Sequence, residues 1–230
     1  MIRGHWCWLG SMDYATCFAW QRVLADQVAQ RQREDVILFV EHPPVLTLGA
    51  NFHAENLLET QEAYRQKGIQ VEPTDRGGDV TFHNPGQLVI YPIVDVAQQG
   101  KDLHRWLRDL EESVIIALRA FGLNGRRFAP HTGVWIEDRK TAAIGIKVKR
   151  WINLHGIALN CNNDLDLARL IVPCGIHGYA VTSLTQELGR EVGVRDALPV
   201  MRNALEHVLG FTPLELRRSE LESQLGPELQ

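Results

Sequence analysis

Apolar residues recur at helical spacing between Met12 and Arg33, where Tyr14, Cys17, Phe18, Ala25 and Val28 form one stripe, and the pattern predicts a helix capped by Ser11. Two short apolar runs rich in β-branched residues follow, Val36 to Val40 and Val45 to Leu48. The prolines of Glu41-His42-Pro43-Pro44 cannot donate to a ladder, so they part these runs into two strands. A second helix is predicted around Leu57 to Gln66. Glycine and proline break the pattern between Arg76 and Gly86, which reads as loop, and Gln87 to Val94 reads as a buried strand. The clearest helix has Leu103, Leu107, Leu110, Val114, Ala117 and Phe121 at intervals of 4, 3, 4, 3 and 4, with Asp102 at its start and Gly122 placed to end it. Gly133 to Ile136, Thr141 to Val148 and Leu154 to Asn160 are short β-type runs, with Asp138-Arg139 and Arg150-Trp151 as turns, in the manner of an antiparallel meander. Asp164 to Leu170 predicts a short helix and Arg195 to Leu209 a longer amphipathic one, through Leu198, Met201, Leu205 and Val208. Residues 217–230 read as a polar tail, helical or frayed, and no internal repeat is visible. Strands flanked by helices predict an α+β fold with a sheet at its centre.

Composition narrows the class. The 230 residues are 45% apolar and 23% charged, the balance of a globular chain, and their number suits a single domain over 1–230. A net charge of −4 gives no global attraction to nucleic acid or anionic lipid, so partners of those kinds are not expected. Cys7, Cys17, Cys161 and Cys174 are separated by 10, 144 and 13 positions, which is neither a redox pair nor a zinc-ligand spacing. With no export signal and no apolar run of about 20 residues, the expected setting is a reducing cytoplasm, off the membrane.

Four segments carry candidate chemistry. In Arg76-Gly77-Gly78-Asp79-Val80-Thr81-Phe82-His83, paired glycines let backbone amides approach a ligand and Arg76 offers an anchor for a carboxylate or phosphate; a tight loop with a surface arginine is the plain alternative. Lys140 opens a strand whose Ala142, Ala143 and Gly145 leave room for an extended chain, or for a packed helix. His155 and Gly156 interrupt a further strand. Cys17 lies on an apolar helix face and is expected to pack; Cys161 is undecided. Cys174 sits between Pro173 and Gly175, hence on a loop, where its thiol is accessible. A thiol of pKa about 8.5 is roughly 3% thiolate at pH 7, and lowering the pKa to about 7 takes roughly 2 kcal/mol, which one nearby ammonium supplies.

Taken together, these segments resemble the lipoyl(octanoyl) transferase family. The resemblance rests on Glu41-His42-Pro43-Pro44-Val45-Leu46-Thr47-Leu48-Gly49, on the Arg76 to Leu88 segment, on Lys140 to Gly145, on His155 to Asn160 and on Pro173-Cys174-Gly175, which run in family order over most of the chain. Asn84 stands where the family usually has glycine; asparagine is the least costly substitute if positive φ is needed. The resemblance implies a catalytic domain like those of biotin and lipoate protein ligases, α+β with a mixed, largely antiparallel sheet. It implies Cys174 as the nucleophile that takes an octanoyl group as a thioester and Lys140 as its dyad partner and later general base. It implies an acyl tunnel lined by Arg76 to His83, by Ala143, Ile144 and Gly145, and by Gly156, Ile157 and Ala158, with His155 in support. The donor would be octanoyl-acyl carrier protein and the acceptors lipoyl domains of 2-oxoacid dehydrogenases and the glycine cleavage H protein. Because the thioester already stores the energy, neither ATP nor metal is called for, and a monomer is expected.

Two further expectations extend this reading: oxyanion donors among the amides near Cys174 and Gly77-Gly78, and a carrier-docking basic face of Lys147, Lys149, Arg150, Arg126 and Arg127. The rivals are an ATP-dependent lipoate or biotin ligase, which needs no nucleophilic cysteine, and a silent acyl-binding module, which makes no covalent adduct.

Overall fold

A computed structural model describes residues 2–171 and 180–225 of the chain. In chain order its elements are β1 (Ile2–Ser11), α1 (Tyr14–Ala29), β2 (Asp35–Glu41), β3 (Val45–Leu48), α2 (Gln61–Gln66), β4 (Gln70–Pro73), β5 (Val80–His83), β6 (Gln87–Ile93) and α3 (Leu103–Ala120). They continue with β7 (Arg126–Phe128), β8 (His131–Ile136), β9 (Arg139–Lys149), β10 (Ile152–Asn160), β11 (Ala180–Val181), α4 (Leu184–Leu188), α5 (Val194–Leu209), β12 (Phe211–Glu215) and α6 (Arg218–Leu225).

The larger sheet runs β12-β1-β2-β6-β10-β9-β8-β7, with β11 beside β9. Only β12, β1 and β2 on that path pair in parallel; from β2 onward it is antiparallel. A second sheet, β4-β3-β5, stands apart. This is the expected α+β architecture with a mixed, largely antiparallel sheet. One face of the large sheet packs Leu88, Ile90, Ile157 and Leu159 against α3 and α5. The other packs Cys7, Leu38, Val89 and Tyr91 against α1 and α6, and the small sheet has its own core around Tyr64, Val80 and Phe82. Because β2 and β6 are covered on both faces, each is buried almost throughout and reads as a continuous apolar run.

Several local expectations need correction. The cap of α1 is Asp13, whose Oδ1 accepts from Thr16 N–H at 3.0 Å, because Ser11 is still paired in β1. Strand β1 has apolar residues facing both cores, Trp6 one way and Cys7 and Leu9 the other, so no alternation announces it. The segment read as loop contains β5, which owes its strand form to pairing with β3, Val45 opposite His83 and Leu48 opposite Val80. Helix α2 starts only at Gln61, behind a Thr60 cap, and Asp166–Leu170 is a 3-10 turn. The polar tail is helical as far as Leu225, with Leu221 and Leu225 buried. Among the described residues no helix is long and apolar enough to cross a membrane.

Candidate active site

Lys140 owes its position to a bulge. Across β8 and β9, Val134 pairs with Ala142 but Trp135 pairs with Lys140, so β9 carries one extra residue, Thr141. Strict alternation would put Lys140 and Ala142 on one face; the bulge turns Lys140 to the face of Ala143 and Ala158. There it is 9% exposed, with its ammonium 5.6 Å from the Trp135 ring centroid. Gly133 makes room for its stem: a Cβ there would lie 2.8 Å from Lys140 Cε and 2.5 Å from the Ala142 carbonyl, at a φ of +119°. The Gly133 N–H donates to Oε1 of Glu111 at 3.2 Å, and Glu111, fully buried on α3, is held by Arg108 at 2.6 Å and Arg127 at 3.0 Å. The lysine's frame is thus anchored through the helix layer.

Two adjoining cavities that share Thr81, Ala143 and Ala158 form a slot between the two sheets, with Lys140 lining the near one. Its near part is lined by Thr81, Phe82, Lys140, Ala143, Ala158 and Ile171, and its far part, sharing Thr81, Ala143 and Ala158, by Arg76, Gly77, Gly78, His83, Gly145 and Gly156, with Ile144 and Ile157. Tyr14, Tyr91 and His155 stand at the far end. Every residue of the three predicted tunnel segments except Asp79 borders this slot, Val80 from its near part. Asp79 instead holds the neighbouring loop, accepting from His53 N–H at 3.0 Å and from Asn56 Nδ2.

Some of the predicted residues serve differently than expected. Arg76 is an internal tie: its Nη2 donates to the carbonyls of Thr47 at 2.6 Å and Asp79 at 2.8 Å, its Nη1 to that of Gly77 at 3.1 Å. That tie draws Gly49 so close that a Cβ there would fall 2.2 Å from the Gly78 carbonyl. The Gly77 amide donates to Ile146 O at 2.8 Å, along the edge of β9 that β8 leaves open, so it is spent and does not serve an oxyanion. Gly145 and Gly156 admit backbone first of all: their missing Cβ atoms would meet Gly77 O at 2.9 Å and Ile90 O at 2.3 Å. The basic face divides. Lys147, Lys149 and Arg150 line a surface cleft with Arg22, whereas Arg126 bonds the Glu137 carbonyl at 2.8 Å and Arg127 pairs with Glu111 and Glu112 at the Lys140 end of β9.

Three neutral imidazoles cluster at the far end of the slot, His83 and His155 lining it and His42 packed behind them. His42 Nδ1–H donates to Met12 O at 2.7 Å, so its Nε2 accepts from the Tyr91 hydroxyl at 3.0 Å, and burial holds its pKa down to about 4. His83 bonds Gln87 Oε1 through Nδ1 at 2.7 Å, and burial, then the neighbouring His42, bring it to about 3. His155 Nε2 reaches Asp75 Oδ1 at 2.9 Å; burial lowers its pKa and its hydrogen bond lowers that of Asp75. His155 has a φ of +59° inside a strand, a left-handed conformation costing a non-glycine residue roughly 1–2 kcal/mol. This kink swings its ring onto the α1 side, 4.9 Å from Phe18.

Cys7, Cys17 and Cys161 are buried free thiols, and burial pushes Cys7 and Cys161 up to about 12 and Cys17 higher still. None is a reactive thiolate. Cys174 lies outside the described residues. The described residues that bracket that stretch converge on the lysine: Ile171 and Val181 line its cavity, and Thr182 N–H donates to Lys140 O at 2.9 Å. Residues the sequence reading missed include Gly133, Trp135, Glu111, Asp75 and the Tyr14–Tyr91 pair. Only Gly133, a glycine inside a strand-like run, carried a signal.

The profile of the family described as "Lipoyl protein ligase A/B catalytic domain" matches residues 13–206. An octanoyltransferase of Gloeobacter violaceus is 46% identical over 202 residues, covering 87% of this chain and 88% of its own. One of Roseiflexus sp. is 47% identical over 210 residues, covering 90% and 86%. Among solved structures, a lipoate-protein ligase A bound with ATP superposes with a TM-score of 0.80 at 18% identity, covering 99% of this chain and 94% of that one. The biotin protein ligase of Aquifex aeolicus, in complex with biotin and ATP, gives 0.54 at 13% identity, covering 90% and 70%. The two ligases share the fold.

Proposed function

The chain belongs to the lipoyl protein ligase A/B catalytic-domain family, and from that membership we propose that it moves an octanoyl group from a carrier-protein thioester to a lysine of lipoyl domains through a thioester on Cys174. The observation that carries this reading is the slot that starts at a buried lysine and runs between the sheets past Ala143 and Ala158. Relatives named octanoyltransferase, 46–47% identical over most of both chains, favour transfer over ATP-dependent ligation. Residues 1–230 act as one catalytic domain and as a monomer.

In the first half-reaction the Cys174 thiolate, stabilised by the Lys140 ammonium, attacks the donor's carbonyl carbon. The bond to the carrier sulfur breaks, and the carrier leaves as a thiol with the proton that the Lys140 ammonium gives up, which leaves Lys140 as the amine. In the second, the acceptor lysine attacks the enzyme thioester, the amide forms, and Lys140 as amine takes the proton that returns to the Cys174 sulfur. No electron changes hands. The framing of Lys140 by Gly133 and Trp135 supports its role, because a dyad partner must hold a fixed place. The test is intact-protein mass spectrometry after mixing the enzyme with octanoyl-acyl carrier protein, without ATP or acceptor. Wild type gains one hydroxylamine-labile octanoyl group, Cys174→Ala none, and Lys140→Ala gains it at least 100-fold more slowly, the lower bound of what one acid-base group contributes. Absence of the adduct in wild type, with acceptor modified from free octanoate and ATP, would overturn the proposal in favour of a ligase.

A further inference from the structure

The far end of the slot is closed by rings, Tyr14, His83, Tyr91 and His155, with Phe18 and His42 packed behind them. The hydrogen bonds around these rings decide where each proton sits. Asn160 Nδ2 donates to Thr182 O at 2.9 Å, so Asn160 Oδ1 accepts from Gln87 Nε2 at 2.9 Å. Gln87 therefore presents its Oε1 to His83, whose Nδ1 must be the protonated nitrogen. The carboxylate of Asp75 likewise requires the proton of neutral His155 to be on Nε2. The acceptor nitrogen of each ring is then Nε2 of His83 and Nδ1 of His155, and the latter is buried with no partner among the described residues. The tyrosines do not supply the missing donors, since Tyr91 donates to His42 and Tyr14 to Thr74 Oγ1 at 3.1 Å. An apolar slot thus ends beside two imidazoles that each offer an acceptor nitrogen, which a methyl group leaves unpaired and a hydrogen-bond donor satisfies.

We propose that His83 and His155 form a polarity stop: the end of the slot accepts a medium-length acyl chain bearing a terminal hydroxyl, which donates to one of these two imidazoles, in preference to a chain of the same length that ends in a methyl group. This rests on the octanoyl-transfer reading and adds the chemical class of chain end that the site selects. The decisive comparison is between acyl groups of the same length, nonanoyl and 8-hydroxyoctanoyl, in which a hydroxyl replaces the last methyl. An apolar wall favours nonanoyl, and an acceptor wall favours the hydroxyl.

The experiment measures kcat/KM for octanoyl, nonanoyl, decanoyl and 8-hydroxyoctanoyl carrier-protein thioesters, reading acylation of a lipoyl domain by intact mass. Wild type is expected to prefer 8-hydroxyoctanoyl over nonanoyl by about tenfold, and His83→Phe, which keeps a ring but removes the acceptor, to reverse that preference. His155→Gly, which suits a φ of +59° and removes the end wall, is expected to raise decanoyl relative to octanoyl by about tenfold, and it keeps the proposal testable if His83→Phe does not fold. Wild-type transfer of octanoyl with nonanoyl equal to or better than 8-hydroxyoctanoyl would overturn the stop alone. So would selectivity ratios unchanged in both variants, because a merely structural histidine lowers all chains together. No octanoyl transfer by wild type would instead bring down the underlying reading.

Discussion

Single residues carry burdens here that their type does not announce. Asp35, at the start of β2, is 3% exposed; its Oδ1 accepts from Asp95 N–H at 3.1 Å while its Oδ2 is buried without a partner among the described residues. Burial raises its pKa to about 7, with the nearby Asp95 charge adding to the effect. The folded state therefore holds this proton more tightly than the unfolded chain, whose aspartates titrate near 3.9. Stability from this group is intact below about pH 4 and is lost progressively as pH rises to about 7. Asp35→Asn keeps the accepting oxygen and removes the charge, so it should stabilise the protein by on the order of 3 kcal/mol at pH 8 and flatten that part of the pH profile. Urea unfolding of both proteins at pH 5 and pH 8 checks this: equal gains at the two pH values would contradict it. Arg76 teaches the reverse lesson. Its residue type suggested an anion anchor, and its donors are used on the carbonyls of Thr47, Gly77 and Asp79.

At the scale of elements, the decisive feature is the extra residue in β9. The small side chains at 142, 143 and 145 marked a strand against which something packs closely, but alternation from them puts Lys140 on the wrong face. Thr141 repairs this by letting Trp135 pair with Lys140. Deleting Thr141 should restore regular pairing, turn Lys140 towards the α3 side and lower acyl-enzyme formation at least 100-fold, while leaving the helical circular dichroism signal intact. Retention of activity with an unchanged fold would show that the bulge does not aim the lysine. Strands β1 and β5 were not legible for related reasons. The first is apolar on both sides, and the second is four residues long between turn-formers, so only its partner β3 makes it a strand.

Across the whole molecule, the C-terminal segment closes the core that supports the far end of the slot. Helix α6 inserts Leu221 and Leu225 into the layer shared with α1 and β1, and Arg218 Nη1 donates to Leu9 O at 2.7 Å. Residues 217–230 read as a polar tail, helical or frayed, yet two leucines at helical spacing suffice to dock Arg218–Leu225. Ending the chain after Arg217 should cost about 3–5 kcal/mol, from two fully buried leucines at about 1.5–3 kcal/mol each. A denaturant midpoint indistinguishable from the full chain would show that α6 is only laid on the surface. Slot and lysine depend on the same assembly: the slot lies between two sheets, and the lysine's frame reaches through Gly133 to Glu111 on α3.

The sequence by itself determined the class of fold, the order of most elements and the segments that border the slot. The elements rest on local pattern, helical spacing and apolar runs, and the slot-lining segments on the resemblance of their motifs to a family. Only the tertiary structure decided which face Lys140 takes, that Arg76 and the Gly77 amide are spent internally, and that Lys147 and Arg127 belong to different surfaces. These depend on cross-strand register and on partners 29 to 80 positions away, such as Thr47 for Arg76 and Asp75 for His155. No window of sequence contains both members of such a pair, so their chemistry becomes visible only once the sheets have brought them together.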